Sequence, residues 1–528
     1  MTEYDSHAPL ELTGAPLSLT DVESVARRLR PVRLTDAART EVSRARAIVD
    51  QFARGSDAIY GVNTGFGSLS RERIDPDDIE HVQHNLLRSH AAGVGEPLPA
   101  EVVRAMLLIL AASLTRARSG VRAELIDLIL ELLNHNITPV VPSRGSVGAS
   151  GDLAPLAHAA LVLIGEGEAT LGTETLPGRA ALERAGLTPL ALSAKEGLAL
   201  INGTHLMTAI GSLALCDVER LQHAAIGAAA MAVDACRATD RTLDPRIHEA
   251  RNQPGQQRVA ALMRELLEGS EIVLAHYEND PRVQDPYCLR AAPQVIGAAF
   301  DTIENVRRVF ADELGAVTDN PLVFLDGPDI DPADWSYQPF AASILSGANF
   351  HGMPVAIALD TLPIALSHLA GIAERRIYWL LAASDSENPV NVYLSPKPGL
   401  HSGLMIAQYT AAACCNELQT LCTPASVANI PTSAGIEDYN SMGATSAHQA
   451  RAAVDLARYV IAIELLVMAE AFEYQRPHRS GAGVERIYET IRAAVPKLTA
   501  DRPPAPDIAA IAELIADGAF DLRAQRKP

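Results

Sequence analysis

The 528-residue sequence predicts an all-α protein with a central bundle of long antiparallel helices and a loop-rich N-terminal region. Three observations predict it. Apolar residues make up 48% of the chain and aromatics only 4%, a balance that favours helices, since strands want β-branched and aromatic side chains. Leu, Ile and Val recur every three and four residues over long stretches. Short connections rich in Pro and Gly separate those stretches, as in a bundle.

In chain order, a polar tail precedes helical spacing over 21–30 and 36–52. Residues 55–75 are rich in Gly and Ser and read as a loop. A helix is expected over 77–95, ending at Gly93 or Gly95, followed by strong helices at about 98–118 and 121–135. Segment 139–155 is again rich in Gly and Ser, and the mixed stretch 165–195 suits a small hairpin. From Glu196 the pattern is almost continuously helical. Residues 196–239 contain no proline, and 293–313, 341–381, 403–424 and 442–475 are further long helices. A Pro-rich segment near 502–506 introduces a last helix and a basic tail.

A net charge of -20 with no Lys/Arg stripe excludes a nucleic-acid partner. The six cysteines form no C-x-x-C pair and read as buried thiols in a reducing compartment. The polar, acidic N-terminus is no signal peptide. Apolar runs such as 106–114 are too short for a bilayer, and 206–233 carries Asp217, Glu219 and Arg220. A cytoplasmic protein with no membrane partner is expected. His81 and His84 stand three apart, yet no H-E-x-x-H motif accompanies them, so no metal is expected.

The chemistry concentrates in Val141-Pro-Ser-Arg-Gly-Ser-Val-Gly-Ala-Ser-Gly-Asp-Leu-Ala-Pro-Leu-Ala-His158. It lacks the P-loop pattern, and its helical flanks do not suit a dinucleotide fingerprint. Read alone, it is a loop between helices. Its Ala149-Ser150-Gly151 triplet nevertheless has a specific reactivity. In a sharply bent backbone the Gly151 nitrogen can attack the Ala149 carbonyl carbon, because glycine lacks the Cβ that blocks so close an approach. Loss of water closes a five-membered ring, and loss of the Ser150 hydroxyl leaves an exocyclic methylene. The product is 4-methylidene-imidazol-5-one (MIO), an electrophile.

The surrounding blocks carry a wider resemblance. They are Tyr60-Gly-Val-Asn-Thr-Gly-Phe-Gly, Ser89-His-Ala-Ala-Gly-Val-Gly, Glu196-Gly-Leu-Ala-Leu-Ile-Asn-Gly-Thr, Gln284-Asp-Pro-Tyr-Cys-Leu-Arg and Thr318-Asp-Asn-Pro-Leu. Asn349-Phe-His-Gly, Glu374-Arg-Arg and Pro431-Thr-Ser-Ala-Gly-Ile-Glu-Asp-Tyr-Asn-Ser-Met follow. In this order they resemble the MIO-dependent aromatic amino acid ammonia-lyases and 2,3-aminomutases, over roughly residues 35–475. The resemblance implies an all-α fold of the fumarase–aspartase kind, a homotetramer, an amino acid as small-molecule substrate, and no external cofactor. Residues 1–195 then form a helical region with a lid loop and the MIO loop, and 196–528 the long-helix bundle and C-terminal helices.

The resemblance also implies roles. Tyr60 is the base for the β-proton, which requires its pKa to fall from about 10. Ser150, with Ala149 and Gly151, supplies the electrophile. Arg290 grips the substrate carboxylate through two parallel hydrogen bonds. Tyr287 is a hydroxyl donor beside the electrophile. Gln284 and Asn202 hydrogen-bond the substrate or the imidazolone oxygen, and Phe350 packs at the site wall. Asp152 assists cyclisation, caps the following helix, or both.

Ser89-His90 and Glu437 resemble histidine-specific members, whereas phenylalanine and tyrosine lyases tend to carry Gln at the Glu437 position. A carboxylate can accept a hydrogen bond from an imidazole N–H, and a phenyl ring would leave it unsatisfied; His90 can add a second polar contact. Histidine-to-urocanate elimination is thus the expectation, with tyrosine, phenylalanine or modified-histidine lyases and an aminomutase as alternatives. The motif departs from the histidine pattern at Gly435, Ile436, Tyr439 and Asn440, and Met353 and His205 stand where Glu and Gln are usual. A degenerate, non-catalytic scaffold would have to lack the electrophile or the base; Ser150, Tyr60 and Arg290 are all present.

Overall fold

A computed structural model describes residues 8–55, 59, 61–64, 74–75, 78–277, 280–325 and 343–523. Helices dominate among them and strands are short, so the fold is all-α. The chain divides into two compact units. The first comprises residues 1–213, 308–359 and 424–448, the second residues 214–307, 360–423 and 449–528.

In the first unit, helices start where side-chain acceptors are available. Ser18 caps Leu19–Ala26 in a reciprocal box with Asp21, and Thr35 caps Asp36–Ala53. Helices Ala100–Thr115 and Ala123–Asn134 pack together and are buried on nearly every side, as apolar composition all round demands. The hairpin within 165–195 is present as Glu168–Leu171 against Glu174–Pro177, with Ile137–Pro139 as a third strand. Strand Val94–Pro97, just beyond helix Ile79–His90, pairs with Pro142–Arg144 at the head of the MIO segment.

Four helix expectations need correction. The helix expected over 77–95 ends at His90, and Val94–Pro97 is a strand. The stretch from Glu196 is interrupted at Asn202-Gly203-Thr204, between helices Glu196–Ile201 and His205–Ala235, because Gly203 takes φ +138°, outside helical space. The helix expected over 341–381 begins at Met353. Ser343–Leu345 instead pairs with Leu322–Phe324, and Gly347 and Gly352 disfavour an earlier start. The 403–424 helix is shorter, Met405–Thr420.

Helix Met353–Ala382 is long and apolar enough to cross a bilayer, with mean hydropathy 1.7, yet 61% of its most apolar window is buried inside the protein. It also carries buried Asp360, Glu374 and Arg376, the composition of a core helix.

In the second unit, Arg376 of that helix forms a buried ion pair with Glu464, its Nη2 3.0 Å from Oε2. Buried Asp234 accepts from the hydroxyls of Ser270 (2.9 Å) and Ser480. Ser270 also caps helix Glu271–His276.

Candidate functional site

The MIO triplet is shaped by a contact between two glycines. Gly151 has φ +73°, and a Cβ there would lie 2.1 Å from the Gly203 carbonyl oxygen. The Gly203 N–H donates to the Ser150 carbonyl at 3.1 Å, and the Asp152 N–H donates to the Gly203 carbonyl at 2.8 Å. Only paired glycines let these strands approach so closely. From the other side, Gly148 (φ +69°) abuts Ser441, where a Cβ would meet Oγ at 2.1 Å, and the Met442 N–H donates to the Val147 carbonyl at 3.0 Å. Ala149 and Gly151 are buried, while Ser150 is half-buried. The Gly151 N–H finds no acceptor among the described residues. A bent backbone, a glycine nitrogen with no hydrogen-bond partner and a serine half open to the site fit the ring that the sequence predicts.

Asp152 is fully buried, and its expected capping role is corrected. It precedes helix Leu153–Leu163 but makes no side-chain cap there. Its Oδ2 accepts instead from the Leu206 and Met207 N–H groups at 2.9 and 3.0 Å, at the start of helix His205–Ala235, and Ser146 donates to Oδ1 at 2.8 Å. Burial pushes its carboxyl up to about 6. Asp152 therefore ties the MIO loop to the first free N–H groups of the long helix.

Asn202 is held by a buried network that local sequence did not reveal. Its Nδ2 donates to Asp319 Oδ1 at 3.3 Å and to the Asn320 carbonyl at 3.0 Å. Both partners only accept, so the nitrogen must face them. The buried Oδ1 is left with no partner among the described residues, as an acceptor suited to an amine or N–H rather than to the imidazolone oxygen. Asp319 in turn pairs with Lys195 Nζ at 2.5 Å, and both side chains are almost wholly buried. His205 is buried beside Gly203, and burial pushes its imidazole down to about 4, so it is neutral at physiological pH.

The same unit brings Glu437 to the triplet: the Ser150 hydroxyl donates to Glu437 Oε1 at 3.3 Å. His90 ends helix Ile79–His90, with Nδ1 2.9 Å from the Leu86 carbonyl. A carbonyl only accepts, so Nδ1 carries a proton and Nε2 is the ring nitrogen not engaged by this bond. Phe350 is half-buried in the turn before helix Met353–Ala382. Nearby Gly352 packs against Met207 and Ser441, which also brace the triplet region.

Gln284, Tyr287 and Arg290 belong to the second unit. Gln284 is exposed, Tyr287 opens the one-turn helix Tyr287–Arg290 at 73% exposure, and Arg290 places its guanidinium 4.6 Å from the Tyr287 ring centroid. Two side chains anchor this segment: Asp285 accepts from the Thr239 N–H at 2.8 Å, and Arg376 donates to the Cys288 carbonyl at 3.3 Å. Tyr60 lies outside the described residues, although Gly61 beside it packs onto Leu198. His84 accepts from the Leu192 N–H at 3.3 Å, and His81 is exposed, 3.8 Å from Asp78.

A helical scaffold that pins an Ala-Ser-Gly turn against an Asn-Gly-Thr turn, with a carboxylate facing the serine, defines a class. The profile of the aromatic amino acid lyases matches residues 17–493, and the chain belongs to that family. Within it, the chain is 48% identical over 521 residues to histidine ammonia-lyase of Anaeromyxobacter sp. (strain K), covering 97% of this chain and 99% of that one. The crystal structure of histidine ammonia-lyase from Trypanosoma cruzi is similar at TM-score 0.87 and 36% identity, over 97% and 94% of the two chains. Tyrosine aminomutase from Streptomyces globisporus is similar at TM-score 0.88 and 34% identity, over 98% of each.

Proposed function

We propose that this chain eliminates ammonia from L-histidine to give urocanate, using an MIO group made from Ala149, Ser150 and Gly151. The observation that carries the reading is Glu437, whose carboxylate stands at the Ser150 hydroxyl, where a substrate imidazole N–H can meet it. Similarity to histidine ammonia-lyases over nearly the whole chain supports it. When formed, the ring supplies an electron-poor methylene carbon that accepts the substrate amine and makes ammonia a better leaving group. Glu437 and the His90 Nε2 orient the imidazole. The Asn202 Oδ1 accepts from the substrate amine. The family resemblance assigns the substrate carboxylate to Arg290, further polar roles to Gln284 and Tyr287, and an apolar wall to Phe350. Tyr60 takes the β-proton.

The working form is a homotetramer. Ile357, Ile364, Gly371 and Tyr378 recur every seven residues along helix Met353–Ala382; the three larger side chains are exposed, and Gly371 faces open space. Such a stripe suits packing against another helix.

A substrate panel tests the function. Histidine, phenylalanine and tyrosine are supplied, and urocanate, cinnamate, coumarate and β-amino acids are quantified. Histidine and urocanate are expected to dominate; a β-amino acid as main product identifies a 2,3-aminomutase. Intact mass is expected to fall by two waters in the wild type, and Ser150→Ala is expected to lose both the near-UV absorbance of the ring and turnover.

A further inference from the structure

The loop that carries Glu437 has an internal brace. Thr432 and Glu437 face each other across a tight turn: the Thr432 N–H donates to the Glu437 carbonyl at 2.8 Å, and the Glu437 N–H returns to the Thr432 carbonyl at 3.4 Å. Between them, Ser433 and Ala434 hold φ +49° and +53°, and Gly435 holds +84°. Left-handed backbone at two consecutive non-glycine residues is strained by roughly 1 kcal/mol or more at each. It persists only where the surroundings over-determine it.

Side chains on both sides of the turn supply them. The Thr432 hydroxyl donates to Glu437 Oε2 at 3.0 Å, while Oε1 faces Ser150 at 3.3 Å. One carboxylate oxygen is thus tethered and the other presented. Asn440, fully buried, donates from Nδ2 to the Ile430 carbonyl at 2.5 Å. Asn429 brackets the Asn440 backbone, accepting from its N–H at 3.2 Å and donating to its carbonyl at 2.9 Å. The two asparagines close the base of the loop, and Thr432 sets the rotamer of its functional carboxylate.

We infer that Thr432 is a positioning residue for substrate choice: its hydroxyl holds the Glu437 carboxylate at the angle that accepts a ring N–H. The inference rests on the histidine reading above and assigns the source of its selectivity to a second side chain. The hydroxyl's shortest bond is to the charged Oε2, with the Glu437 carbonyl at 3.4 Å and the Asn440 Nδ2 donor at 3.5 Å further off, so its loss is expected to weaken histidine recognition by about tenfold or more.

The test uses the full-length enzyme. Thr432→Val keeps the side chain's shape and removes the hydroxyl; it is expected to raise KM for histidine about tenfold, with a smaller change in kcat. Thr432→Ser is expected to restore the wild-type KM. Ring absorbance and thermal midpoint are expected to stay at wild-type values in both, which separates positioning from misfolding. In the Glu437→Gln background, Thr432→Val is expected to add almost nothing. A wild-type KM in Thr432→Val, a Ser variant no better than the Val variant, or an undiminished penalty in the Glu437→Gln background overturns the proposal alone. A wild-type enzyme that ignores histidine overturns it together with the substrate reading.

Discussion

Glu437 is the residue proposed to carry the choice of substrate, and its setting states the terms. Half-buried and with Oε1 at Ser150, it can accept from an imidazole N–H, whereas a phenyl ring would desolvate it without return. Glu437→Gln is expected to raise KM for histidine by roughly 10- to 100-fold, the range for a hydrogen bond to a charged group, and to narrow the preference over phenylalanine. Steady-state kinetics on both substrates check it. Glu437 could be found from its motif. The orientation of the Asn202 amide could not, because its partners Asp319 and Asn320 lie more than a hundred positions away. Thr318-Asp-Asn-Pro-Leu was visible as a block, but its Asp319 acquires a role only when Lys195 and Asn202 fold onto it.

At the scale of elements, the long-helix pattern was legible because buried faces repeat at helical spacing. What escaped was decided by contacts distant in sequence. The break at Gly203 exists because Gly151 packs on it, and Asp152 serves a helix other than the one it precedes. Removing the Asp152 carboxylate strands two helix N–H groups. Asp152→Ala is therefore expected to cost about 3 kcal/mol of stability, and Asp152→Asn, which keeps an acceptor, distinctly less. Thermal unfolding of both variants measures this, and ring absorbance in the Asn variant reports any part the carboxylate plays in cyclisation. In the second unit, burial pushes the Asp234 carboxyl up to about 7, with only the Ser270 and Ser480 hydroxyls to offset it. A folded pKa above the unfolded value of about 3.9 means that the native state binds the extra proton. That stabilisation is complete below about pH 4 and is lost as pH rises through 7. Asp234→Asn, neutral throughout, is expected to gain on the wild type between pH 4 and 7, by at most about 1.4 kcal/mol per pH unit, and to hold its advantage above. Thermal midpoints at pH 5 and 8 give the comparison.

For the whole molecule, family and fold class could be read from ordered motifs spread along the chain, because each motif encodes a backbone requirement rather than a surface preference. Assembly is less legible, since an exposed apolar stripe looks in sequence like any core helix. Ile364→Glu, placed in the stripe Ile357, Ile364, Gly371 and Tyr378, is expected to shift the mass in light scattering from that of the proposed tetramer towards smaller species. An unchanged tetramer would remove that helix from the interface.

The meeting of Gly151 with Gly203 has a consequence for biosynthesis. The nucleophilic nitrogen and its target carbon in the proposed cyclisation are neighbours in the chain, yet the positive φ of Gly151 is packed against a backbone segment made some fifty residues later. A nascent chain halted before Gly203 emerges lacks that contact, so the proposed MIO group is expected to form only after this region has folded. A rise of near-UV absorbance in freshly synthesised protein is then expected to act as a clock for maturation. Gly203→Ala is expected to stop that clock while Ser150 stays chemically intact.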